Sequence, residues 1–75
     1  MNNQRRKEIK NLIEHIGYIK SELERIISDE ENYYDNIPEN LQGSDRAMTS
    51  EESIDSMNEA LNELENSIDE LEVIL

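Results

Sequence analysis

From Ile54 onward, Met57, Leu61, Leu64, Ile68, Leu71 and Leu75 follow at alternating gaps of three and four, the a/d heptad rhythm of a helix that buries one apolar stripe. Such a stripe requires a second helix. The first half of the chain supplies one in Ile9, Leu12, Ile16, Ile19, Leu23 and Ile26, so the halves are expected to close as an antiparallel two-helix hairpin in an all-α fold. The first row then meets Glu30 where an apolar residue is due and resumes at Tyr33, while Ile13, Ile27 and Tyr34 widen the face at the adjoining position. Glu30 marks where the core is expected to thin.

The pattern divides the single domain, residues 1–75, into a helix over 3–35, a linker over 36–43 and a helix over 44–75. Asn3 is the expected N-cap of the first helix, its side chain accepting from the free amides of the opening turn. Gly17 lies inside that helix, where glycine costs up to about 1 kcal/mol, but off the apolar row. In the linker, Pro38 disfavours helical geometry at Ile37, and Gly43 is suited to the left-handed conformation that often follows a helical turn. One short turn between them would let Ile37 and Leu41 close the end of the core. The second helix starts either at Ser44 or at Thr49, where Thr49 and Glu52 have the spacing of a capping box. Ser44 is favoured, because it makes the helices equal at about 48 Å and lets Ala47 and Ser50 extend the seam in small residues.

Two helices touch along one line only. Their outer flanks stay wet, whereas four helices enclose a core, so two hairpins are expected to dimerise into a four-helix bundle. Ser53, Ala60 and Ser67 recur every seven residues beside the second seam. Small side chains there would admit a close neighbour, or are merely tolerated on a helix flank.

Charge narrows the partners. With 19 acidic and 7 basic residues the net charge is -12, which disfavours direct contact with nucleic acid or an anionic membrane and favours a protein with a basic surface. The chain has no cysteine, so no disulfide framework or thiolate chemistry is available, in keeping with a cytoplasmic protein. Met1–Lys10 is polar and basic, without the apolar stretch of a signal peptide or membrane span. Arg5, Arg6, Lys7 and Lys10 sit at a helix N-terminus and Glu65, Asp69, Glu70 and Glu72 at a C-terminus, each cluster unfavourable to its own helix dipole. Antiparallel folding brings the two clusters side by side.

Candidate chemistry is sparse. One histidine, no cysteine, no Gly-rich phosphate loop and no hydrolase elbow leave nucleophilic triads and nucleotide cradles without their parts, so no enzyme and no cofactor is expected. A bundle metal site would want a carboxylate three residues before His15, and that position is Leu12. A calcium loop starting at Asp29 would have Tyr34 in place of its glycine and Asn40 in place of its bidentate glutamate. Of the aromatics, Tyr33 is read as core, and Tyr34 and Tyr18 as core edge or contact anchors.

The acidic exterior remains. Asp55, Glu59 and Glu63 follow at i, i+4 and i+8, spacing carboxylates about 6 Å apart along the helix, and Glu52, Asp69 and Glu70 extend the charge. Such a surface either keeps a small bundle in solution or contacts a basic partner. Tyr34 and Asp35 at the end of the first helix and Glu39 in the linker are the residues placed to join that contact.

The run Tyr33, Tyr34, Asp35, Asn36, Ile37, Pro38, Glu39, Asn40, Leu41, Gln42, Gly43, Ser44, with Asp29, Glu30 and Glu31 before it and an acidic helix after it, resembles a group of small phage and prophage proteins. They share the layout of helix, YYDN-x-PENLQGS linker and helix, and Arg5, Arg6, Lys7, Glu8 and Ile9 are similar too. This chain departs from the group at Asp45, Arg46, Ala47, Met48 and Thr49. The resemblance implies a viral accessory protein acting in the host cytoplasm, with no catalytic residues to carry over. The expected function is binding and inhibition of a host nucleic-acid-binding protein by an acidic surface that imitates DNA charge. The alternative is a structural or adaptor bundle that meets its partner through apolar seam residues.

Overall fold

The computed structural model describes all residues Met1–Leu75 and contains helix α1 (Asn3–Asp35), a 3₁₀ turn (Glu39–Leu41) and helix α2 (Asp45–Val73), with no strand. The two helices pack against each other as a hairpin about 59 Å long and only 15 × 12 Å in section.

The caps explain where the helices start. Asn2, not Asn3, caps α1: its side-chain oxygen accepts from the Arg5 amide at 2.8 Å, which leaves Asn3 as the first helical residue. Ser44 caps α2, its Oγ accepting from the Ala47 amide at 3.3 Å. The Thr49 capping box therefore lies inside a helix that is already running. The seam's last residue, Leu75, falls beyond the helix end at Val73 and is exposed.

The linker turns without left-handed geometry. Gly43 has no positive φ; the side-chain amide of Gln42 instead donates to the Ile37 carbonyl at 2.9 Å, and the Leu41 amide donates to the Pro38 carbonyl at 2.8 Å. These bonds reverse the chain through right-handed turns, so glycine's freedom is not needed. Ile37 is buried as expected, but Leu41 stays exposed and does not close the core.

The seam differs from the expected one at every second position of the α1 row. Ile9, Ile16, Leu23 and Glu30 face α2 in part, but the alternate positions turned toward it are Ile13, Lys20, Ile27 and Tyr34. Leu12, Ile19, Ile26 and Tyr33 point away, with 52, 52, 44 and 42% of their surface exposed. Both rows alternate by fours and threes, so spacing alone does not choose between them. Burial is concentrated toward the linker end, where Ile27, Ile37, Ala47 and Ser50 are the four buried residues and α2 offers only small side chains to the seam. On α2 the expected row holds, with Ile54, Met57, Leu61, Leu64, Ile68 and Leu71 all half-buried.

Polar contacts complete the seam. Lys20 lays its stem along α2 and reaches Glu65 at 3.3 Å, the one ion pair between the helices. Arg5, Arg6, Lys7 and Lys10 form no ion pair with the acidic end of α2; Arg6 instead donates to Asn3 at 3.2 Å. At Glu30 the core thins, and its carboxylate accepts from the buried Ser50 hydroxyl at 2.6 Å.

Gly17 sits in α1 with open space where a Cβ would stand. Gly17→Ala should therefore stabilise the protein by about 0.5–1 kcal/mol, through helix propensity and a less flexible unfolded chain. Thermal unfolding followed by circular dichroism checks this, and a lowered melting temperature would contradict it.

Candidate functional site

Two surfaces stand out, one charged and one apolar. Helix α2 carries ten acidic residues and one basic residue, Arg46. Glu52, Asp55, Glu59, Glu63, Asp69 and Glu70 are all exposed, and none is held in an ion pair. Their charge is thus available to a partner. On α1 the acids are partly answered: Arg25 bridges Glu22 and Asp29, each at 3.1 Å.

Near the linker the residues separate by side of the rod. Tyr34 and Asp35 border an open hollow with Glu31, Glu51 and Ile54. Glu39 starts the 3₁₀ turn and is exposed, so it is not part of that hollow. On the opposite side Tyr33, Glu30, Asp45, Arg46, Thr49 and Ser50 border another hollow, with the Arg46 guanidinium 5.7 Å from the Tyr33 ring centre. Tyr33 is therefore a surface residue stacked under a cation rather than core, and Tyr34 takes the inward place. Tyr18 is 67% exposed.

Sequence reasoning missed the second surface. Leu12, Ile19, Ile26 and Tyr33 form an outward row at intervals of seven on the Arg46 side of the hairpin. The signal was present in their spacing, because an apolar face three positions wide, such as 12, 13 and 16, exceeds what one partner helix covers. Along α2 the same side carries Ser53, Ala60 and Ser67, each seven residues on from Arg46 or from the one before.

His15 is exposed on α1, and no three Asp, Glu or His side chains converge as a metal site requires. No helix is long and apolar enough to cross a membrane. The fold and surfaces define an acidic helical hairpin with an uncovered apolar flank. No family model matches the chain, and neither a curated protein nor a solved structure matches it.

Proposed function

We propose that the protein is a non-enzymatic accessory protein of phage type that dimerises into a four-helix bundle and inhibits a host nucleic-acid-binding protein from the host cytoplasm. The observation that carries this reading is the unanswered charge on α2. A dimer would present twice the -12 of one chain along a 59 Å rod, about one net negative charge per 2.5 Å, against one per about 1.7 Å in duplex DNA. A groove built for phosphates would attract such a rod, and the rod would compete with nucleic acid for it. The linker resemblance to phage proteins supports the same assignment.

The test is capture from a bacterial lysate on the immobilised protein, followed by elution. A genuine target is displaced by duplex DNA and by salt, and it is not retained by the triple variant Asp55→Asn, Glu59→Gln, Glu63→Gln. Retention that ignores both salt and the triple variant sinks the charge-based reading.

The exposed row on α1 favours a second reading, an adaptor that holds its partner through apolar contacts. Its complex would survive the triple variant and fail with Ile19→Ser.

A further inference from the structure

An uncovered apolar row on a slender rod raises the question of what covers it, and three features converge on a second copy of the same chain. The first is area. A compact chain of 8.8 kDa exposes about 4,800 Å², whereas this hairpin exposes 5680 Å², an excess of roughly 900 Å². A standard interface takes about 800 Å² from each partner.

The second is register. Contacts between Glu30 and Ser50 and between Lys20 and Glu65 fix which levels of α1 and α2 face each other. At those levels Ile26 lies opposite residues 54–59, between Ser53 and Ala60, and Ile19 lies opposite 61–66, between Ala60 and Ser67. Each bulky side chain on one edge of the face thus stands level with a gap between two small ones on the other edge. A two-fold axis parallel to the helices preserves levels and exchanges edges, so it seats each knob of one copy in a gap of the other.

The third is charge. The other way to stack the faces, with linkers at opposite ends, lays α2 against α2, ten acidic residues and one basic against the same. With linkers at the same end, each α2 meets an α1, whose charge is nearly balanced, and the acidic outer surfaces stay free.

We propose that the face carrying Ile19, Ile26, Ser53, Ala60 and Ser67 closes on a second copy with both linkers at the same end, α1 of each chain lying over α2 of the other. This arrangement rests on the dimer proposed above and specifies its geometry. It also fixes where a target can bind: the face with the small residues is inside, and the exposed carboxylates around it are outside.

The chain has no cysteine, so a single spin label at Asn40→Cys, on the exposed linker, reports the geometry without touching the seam. Light scattering should give a dimer mass at high micromolar concentration. Pulsed dipolar spectroscopy should give a label separation of about 15–30 Å, set by neighbouring helices roughly 10 Å apart plus the label arms. A separation close to the 59 Å rod length overturns the same-end arrangement while leaving the dimer and the acidic-partner reading intact. A monomer overturns both the arrangement and the dimer, and leaves the target's salt-sensitive capture to be judged by its own experiment. Ile19→Ser and Ile26→Ser should each raise the dimer dissociation constant about tenfold or more with helix content retained; an unchanged constant counts against the proposed face.

Discussion

Ile27→Ala should destabilise the protein by about 2–4 kcal/mol, measured by urea unfolding. Ile27 is 6% exposed, the most buried large side chain of either helix, in a chain where only four residues are buried at all. Its truncation removes apolar burial and leaves a gap that two straight helices, already joined at a linker, close only in part. For a chain of this length the total stability is on the order of 4–11 kcal/mol, so the loss is a large share of it. The neighbouring residue is the control. Ile26 has the same composition and lies one position away, yet is 44% exposed. At protein concentrations too low for association, Ile26→Ala should cost less than half as much. Equal costs, or the reverse order, would mean that the hairpin closes on the row of Leu12, Ile19 and Ile26 instead.

That contrast shows what the sequence made legible. The heptad rhythm of α2 determines a unique stripe, because Ile54, Met57, Leu61 and Leu64 are bordered on both sides by small or polar residues (Ser, Ala, Asn, Asp and Glu) and by no second apolar row. The rhythm of α1 does not, since alternating gaps of three and four are satisfied by two overlapping rows that share Ile9, Ile16 and Leu23. The more apolar row reads as the seam. Yet the one facing α2 includes Lys20, whose stem supplies packing and whose ammonium reaches Glu65, an option that apolar counting does not register. The linker was legible at Ile37 and Ser44 through burial and capping chemistry, but not at Gly43. There the Gln42 side chain secures the turn through carbonyl groups, which residue-type preferences do not anticipate. For the candidate site, the acidic residues were legible from charge and period alone. An uncovered apolar flank was implicit in the three-position width of the α1 face, but which row stays outside was decided by where α2 packs, leaving Leu12, Ile19, Ile26 and Tyr33 exposed.

The second large effect is expected where α1's apolar row is interrupted. Ser50→Ala should cost about 1–3 kcal/mol, because the 2.6 Å bond from its hydroxyl is the side-chain partner of the Glu30 carboxylate in a half-buried position. A short O–H to carboxylate bond is among the stronger neutral-to-ion contacts, and alanine leaves no donor in its place. Glu30→Leu alone should cost less, since leucine continues the apolar row and the stranded group is then a small hydroxyl instead of a charge. Combining Glu30→Leu with Ser50→Ala should recover most of the stability lost in Ser50→Ala, since replacing both partners by apolar groups removes the desolvated carboxylate together with its bond. A double-mutant cycle in urea isolates the pair. Strictly additive costs would show that the bond contributes nothing. A double variant more stable than the parent would show that the bonded pair is held at a net cost in stability, because desolvating the carboxylate then outweighs the hydrogen bond it accepts.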